Sequence, residues 1–382
     1  IRVASVLLGG IALLLGYRVA RRIFSRDPRI ALGATALAAL LPMHLTMVAG
    51  VNNDVLAELM IAAVALQLLA PSGERWTWRR AVLLGLTLGL AALTKLQSYV
   101  GFALVGAVLL WDALGPSDGE RALTPKRALG LFLAMLGIAL LVLSPWLLRN
   151  ASLYGWSDPL GLQRHDQVVM GQLTTSEFVR TQGVRALLIG LARTTFQSFW
   201  GQFGWMGVVL HPRIYMVAAL LSGLVALSAA VSVGRALKRR ASLDRSQSRG
   251  VWMLCVWALV TVAGYFWWNL SYVQHQGRYL FPALVPLGVG FAIGLRELLA
   301  GDQRAALVAL ALAILALVVE ALFGGDLRAF ATALVAGGAC LLVVAKWFER
   351  RWPGSIMACT YLGIGAFSLY CLYGYVIPLL AP

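Results

Sequence analysis

Twelve apolar runs, most of them about 16–22 residues long, follow one another along this chain with short polar stretches between most of them. A run of that length crosses the hydrocarbon core of a bilayer as an α-helix. In lipid the backbone must satisfy its own polar groups, which leaves helical bundles and closed barrels as the available architectures. A barrel would need segments of about ten residues alternating apolar and polar, and no such alternation is present. Charged residues are 13% of the 382, against roughly a quarter in soluble domains. The expected fold class is all-α: a polytopic transmembrane bundle of about twelve spans.

Charge fixes the expected orientation. The 32 Lys and Arg against 16 Asp and Glu give a net charge of +16. In a soluble protein this would suggest nucleic acid, but no basic segment is long or interleaved with aromatic residues as a single-strand platform requires. The basic residues instead alternate across the runs. One side collects 22, beginning with Arg18–Arg29 and continuing through Arg75–Arg80, Arg121–Arg127 and Arg235–Arg249. The other side collects ten, six of them in one long segment. The richer side is cytoplasmic by the positive-inside rule. Residues 148–213 then lie on the outer face between the sixth and seventh spans, where Ala186–Leu191 and Phe196–Leu210 read as interfacial or re-entrant. The chain is expected to be a multi-pass membrane protein, with anionic lipids as the partners of its basic loops. Cys255, Cys340, Cys359 and Cys371 sit in apolar runs without a CxxC pair, so neither zinc nor a disulfide framework is indicated.

Polar residues from distant parts of the chain accumulate on the expected outer side. Asn52-Asn53-Asp54 precedes the third run as a helix cap, with one amide more than a cap needs. Lys95 and Gln97 stand in a tight Thr-Lys-Leu-Gln-Ser junction between two short runs, where an ammonium can meet a phosphate. Ser144–Asn150 ends a span at a proline and releases Arg149 and Asn150. Gln274-His275-Gln276-Gly277-Arg278-Tyr279 gathers amide, imidazole, guanidinium and phenol directly before a span. Its arginine is suited to bidentate phosphate contact. Arg164-His165-Asp166 offers acid–base groups on a polar loop, and Trp200, Phe203 and Trp205 could line an apolar groove for a lipid tail.

Five stretches together resemble a family. They are Pro42 with Asn52-Asn53-Asp54, LAALTK at 90–95, SPWLLRN at 144–150 with Tyr154-Gly155, SFWGQFGWM at 198–206, and QGRYLFP at 276–282. The chain resembles the C-type glycosyltransferases of bacterial membranes, the superfamily of protein mannosyltransferases and aminoarabinose transferases, and within it a poorly characterised branch. The resemblance covers residues 1–300, with 301–382 as additional transmembrane helices. It implies inverting transfer of a sugar from a polyprenyl-phosphate donor to an acceptor on the outer face. By motif position Lys95 and Arg278 would hold the donor phosphate. Asn53, Gln97, Arg149, His275, Gln276 and Tyr279 would contact sugar or acceptor.

Such enzymes place a catalytic carboxylate in a first outer loop, and some use a divalent metal. The chain opens on Ile1-Arg2-Val3 inside an apolar run, so the segment bearing that carboxylate is expected to be missing. Asp54, Asp158 and Asp166 are the remaining candidates, and no metal-ligand cluster is evident. Two alternatives stand beside the transferase: a non-catalytic subunit of a larger membrane complex, and a flippase for lipid-linked sugars.

Overall fold

The computed structural model describes residues 1–69, 76–115, 123–169, 171–238, 243–322 and 328–380. Arg75, Arg121, Arg239 and Arg240 of the basic groups lie outside the described residues. In chain order the helices are α1 (Arg2–Ile23), α2 (Pro28–Leu40), α3 (Pro42–Ala49), α4 (Asp54–Leu68), α5 (Trp78–Thr94), α6 (Val100–Leu114), α7 (Pro125–Tyr154), α8 (Leu162–Val168) and α9 (Thr175–Trp200). A two-stranded antiparallel hairpin follows, β1 (Gln202–Phe203) and β2 (Val208–Val209). Then come α10 (Pro212–Lys238), α11 (Arg245–Ser271), α12 (Leu284–Ala300), α13 (Arg304–Leu322), α14 (Ala329–Arg351), α15 (Ser355–Cys371) and α16 (Ile377–Leu380).

Each apolar run is helical, as expected, but the count of twelve spans is not reached. Among the described residues eight helices are long and apolar enough to cross a membrane, or nine if α2 and α3 make one broken span bent by 64°. The bend sits at Leu41, whose extended backbone (ψ 121°) is what the following Pro42 imposes. The runs assigned to α4 and α5 make helices of 15 and 17 residues, short of the roughly 20 a bilayer needs. The sole departure from an all-α fold among the described residues is the hairpin and one isolated bridge between Thr174 and Tyr272.

Helix starts follow local chemistry. Asp27, Thr77, Thr124 and Asp244 accept a hydrogen bond from the second or third backbone N–H of α2, α5, α7 and α11, and Pro28 and Pro125 occupy the first turn of α2 and α7, where proline costs no bond. One expectation fails in α7. Pro145 does not end this helix, which runs on to Tyr154 and keeps Arg149 and Asn150 helical. Proline removes the N–H that would reach Leu141, and the Ser144 hydroxyl donates to that carbonyl instead at 2.8 Å.

The helices form two compact units that interleave along the chain. The first comprises residues 1–25, 47–196 and 243–286. Its core includes Leu84, Leu104 and Met135, none of them exposed. Here α5 and α7 approach closely through Gly85 and Gly89, where an added Cβ would lie 2.8 Å from Ile138 and 2.6 Å from Val142, the small-xxx-small packing of membrane helices. The second unit comprises residues 26–46, 197–242 and 287–382. Arg296 pairs with Asp27 and Arg235 with Glu297 in it. The buried His44 ring nitrogen meets the Ala38 carbonyl at the end of α2 at 2.6 Å.

Candidate functional site

Three breaks between helices of the first unit meet. The turn before α4 is built by Asn52, whose amide donates to the Met47 carbonyl (2.8 Å) and whose carbonyl oxygen accepts from the Asp54 N–H (2.9 Å). Asn53 holds the N-cap position of α4 but does not cap it with its side chain. Its amide instead donates to the Thr94 carbonyl at 2.8 Å. The surplus amide therefore ties the first break to the second.

At the second break α5 ends, Lys95 is extended (φ −168°) and a 3₁₀ turn over Leu96–Tyr99 leads into α6. The Thr94 and Ser98 hydroxyls, 2.9 Å apart, brace the junction. Lys95 Nζ forms an ion pair with the Asp54 carboxylate, with side-chain exposures of 23% and 14%. Gln97 is half-buried in the turn.

The third break, residues 272–276, is held by the start of α9: Val273 N–H donates to the Leu173 carbonyl (3.0 Å), and the Thr175 hydroxyl to that of Asn269 (2.7 Å). Seven residues of 3₁₀ helix follow, Gly277–Ala283, with the Pro282 carbonyl accepting from the Trp257 indole at 2.6 Å. Tyr279 donates to the Gln274 side chain at 2.8 Å, and Gln276 reaches the same oxygen at 3.4 Å. Lys95 Nζ lies 5.8 Å from the centre of the Tyr279 ring and the Arg278 guanidinium carbon 5.4 Å. Arg278 also approaches the Met47 sulfur at 3.7 Å. Asn53, Asp54, Lys95, Arg278 and Tyr279 thus share one neighbourhood.

The other candidates fall elsewhere. Arg149 is exposed and contacts the neighbouring Asn150, whose amide donates to the Pro159 carbonyl. Asp158 is 5% exposed and accepts the Arg164 N–H at 2.8 Å, which commits its carboxylate to the start of α8. His275 is buried, with Gly190 of α9 beside its ring. Burial holds its imidazole below the ordinary value of 6.5.

His165 and Asp166 form a separate group with two aromatics that sequence reasoning passed over. His165 Nδ1 lies 3.2 Å from Asp166, and its ring packs edge-on against Trp268 and Tyr272. Hydrogen bonds from Tyr272 and His165 lower the Asp166 carboxyl below its ordinary 3.8, and the same carboxylate raises the Tyr272 phenol. The end of a span followed by an aromatic belt was the only signal Trp268 and Tyr272 gave.

The expected lipid groove takes a different form. Trp200 and Phe203, in the second unit, are 5% and 1% exposed, so they line no open groove. The hairpin turns both side chains inward, and Tyr215 braces its ends by donating to the Gly201 carbonyl (2.7 Å) and accepting from the Leu210 N–H (3.1 Å). Trp205 alone projects, 90% exposed at the turn. Among the described residues no three His, Cys, Asp or Glu side chains are grouped to hold a metal ion.

A helical bundle with these long apolar helices and a polar centre at three helix breaks is a polytopic membrane protein. Residues 1–287 match the family described as predicted membrane protein DUF2142, and the chain belongs to that family. No curated protein matches it. Among solved structures, the chain is similar to ArnT from Cupriavidus metallidurans, crystallised with undecaprenyl phosphate, at a TM-score of 0.46 and 19% identity over 97% of this chain and 61% of that one. It is also similar to the oligosaccharyltransferase of Archaeoglobus fulgidus in the apo form, at a TM-score of 0.38 and 16% identity over 95% of this chain and 44% of that one. The chain therefore spans about three-fifths of the first protein's length (61%) and under half of the second's (44%).

Proposed function

We propose that the chain works on a polyprenyl-phosphate-linked sugar as a C-type glycosyltransferase, with Lys95 and Arg278 holding the lipid phosphate. One observation carries this reading: two cations from separate helix breaks stand 5.8 and 5.4 Å from one tyrosine ring, Tyr279. Lysine supplies a compact point charge and arginine a planar fork, the pair of donors a phosphate with several oxygens can use at once. The elements that deliver them are α5, α6 and the 3₁₀ helix before α12, which belong to or adjoin apolar membrane helices. An anion reaching them carries an apolar tail most readily. Cations fixed there also stabilise the phosphate as it leaves the sugar.

Asn53, Gln97, Gln276 and Tyr279 are assigned to the sugar or acceptor, with Arg149 and His275 further out. On this reading residues 148–213 lie on the outer face of a bacterial inner membrane, which the asymmetry of basic residues supports. No catalytic carboxylate is assigned. Asp54 serves Lys95, Asp158 serves the start of α8, and Asp166 serves His165 and Tyr272. Those three commitments favour one second reading, a lipid-binding subunit without transfer activity.

The test is native mass spectrometry of the protein in lipid nanodiscs titrated with undecaprenyl phosphate. Arg278→Ala and Lys95→Met should each weaken binding at least tenfold in protein that remains folded; affinities equal to wild type would refute the phosphate seat. Radiolabelled sugar passing from a polyprenyl donor to any acceptor would decide for the transferase over the subunit.

A further inference from the structure

We infer that Asp54 sets the charge selectivity of the Lys95 seat, reducing the advantage that a doubly charged phosphomonoester would otherwise hold over a singly charged phosphodiester. The inference rests on the phosphate-lipid reading above and adds a selectivity to it. Its basis is that Lys95 does not stand alone: the Asp54 carboxylate is paired with its ammonium, and the two side chains are only 14% and 23% exposed.

The carboxylate is also fixed in place. The Asp54 N–H is held by the Asn52 side chain at 2.9 Å, the Asn52 amide is anchored on the Met47 carbonyl, and the Asn53 amide ties this turn to the Thr94 carbonyl immediately before Lys95. Three side-chain bonds thus lock the acidic turn to the lysine junction. A phosphate that comes to Lys95 and Arg278 meets a carboxylate that has little freedom to withdraw.

Each negative charge on that phosphate is repelled by Asp54 at short range in a partly desolvated setting, where charges act more strongly than in water. A phosphodiester bears one charge. A phosphomonoester bears about 1.5 to 2 at neutral pH, so it incurs close to twice the repulsion, and the carboxylate offsets one of the two cations that attract it. In the chemistry proposed above, the sugar-loaded lipid is the diester and the spent lipid the monoester. A carboxylate at this position therefore loosens the spent lipid more than the loaded one and speeds its departure.

The experiment uses the whole chain in phosphatidylcholine nanodiscs at pH 8, with undecaprenyl phosphate and its monomethyl ester as the monoester and diester probes. Asp54→Asn should tighten the monoester at least tenfold and the diester by less than threefold. A tightening of the diester larger than that of the monoester in Asp54→Asn would overturn the inference. Equal tightening of both probes, or none, in a folded Asp54→Asn protein would also overturn it. If Lys95→Met binds both probes as wild type does, the phosphate seat itself fails; if Lys95→Met weakens binding while Asp54→Asn fails to discriminate, the selectivity alone fails.

Discussion

Arg22 and Arg80 divide between them the carbonyls at the end of α4 and its capping residue Leu69: Arg22 donates to Leu66 (3.1 Å) and Leu69 (3.3 Å), Arg80 to Gln67 (2.9 Å) and Leu68 (3.1 Å). These four groups have no intrahelical partner by the geometry of a helix end. Two guanidinium forks satisfy them and oppose the negative end of the helix dipole. Arg80 in addition lies 4.2 Å from the centre of the Trp76 ring. Residues that orient a membrane protein by their charge here also finish a short helix.

Arg80→Ala should therefore lower stability by about 2 kcal/mol, from two lost charge-assisted bonds and a cation–π contact. Arg80→Lys should recover less than half of that, because an ammonium cannot span two carbonyls as a fork does. Thermal unfolding in detergent, followed by the fluorescence of a thiol-reactive dye, measures both. An unchanged midpoint for Arg80→Ala would remove the capping role.

The same unit depends on Asp112, which accepts from Arg249 at 2.9 Å and from the Trp76 indole at 3.0 Å. The Arg249 side chain is 13% exposed. Asp112→Ala leaves that charge unpaired and should cost about 3–5 kcal/mol, as the loss of one partner of a buried pair does. Replacing Asp112 and Arg249 together by Leu and Met should cost much less than Asp112→Ala alone. A double replacement as destabilising as the single one would refute the account.

How much of this was legible beforehand depends on range. Asn53, Asp54, Lys95 and Arg278 stand out in the sequence because each interrupts apolar runs, where polar residues are expensive. Their mutual contacts are not legible. Asp54 and Lys95 are 41 residues apart, and no periodicity sets the rotation of α4 against α5. Aromatic composition misled at Trp200 and Phe203, since a groove and a buried hairpin have the same residue types. The run that becomes α5 already reads as short beside Lys95, whereas α4 reads as a span, because an apolar run shows where a helix is apolar and says little about whether it crosses. Pro145 reads as a stop from local rules, and only the hydroxyl of Ser144 tells why it is not one.

Acidification should destabilise the protein in two separable steps. Burial depresses the His275 pKa, so the folded state prefers the neutral ring. The associated stability is complete above the unfolded value near 6.5 and is lost as pH falls through the lower folded value. Asp166 is likewise depressed, first by Tyr272 and then by His165. Its contribution is complete above about 3.9 and is lost below that. His275→Asn should flatten the melting temperature between pH 7 and pH 5 (about one to two units around the histidine range) and leave the lower step. A profile unchanged by His275→Asn would assign the upper step to another group.

The hairpin of the second unit offers the sharpest test of backbone strain. Gly204, Trp205 and Met206 are three consecutive residues in the left-handed region, with φ of 55°, 53° and 72°. For a residue other than glycine this costs about 1–2 kcal/mol, and the turn persists because its ends are fixed. Gln202 donates to the Met206 carbonyl at 2.8 Å, and the buried Tyr215 hydroxyl joins Gly201 to Leu210. Met206→Gly should then raise stability by about 1 kcal/mol, since it removes the strain and no buried contact of the half-exposed side chain. Gly204→Ala should lower it by about 1–2 kcal/mol, because a Cβ there would be strained and would lie 2.9 Å from Leu380. Tyr215→Phe should cost most, about 2–3 kcal/mol, by leaving a buried N–H and a buried carbonyl unsatisfied. Melting temperatures of the three variants should therefore fall in the order Met206→Gly, Gly204→Ala, Tyr215→Phe. A Tyr215→Phe protein as stable as wild type would mean that the turn holds its own conformation, and the strain at Trp205 and Met206 would need another source of support.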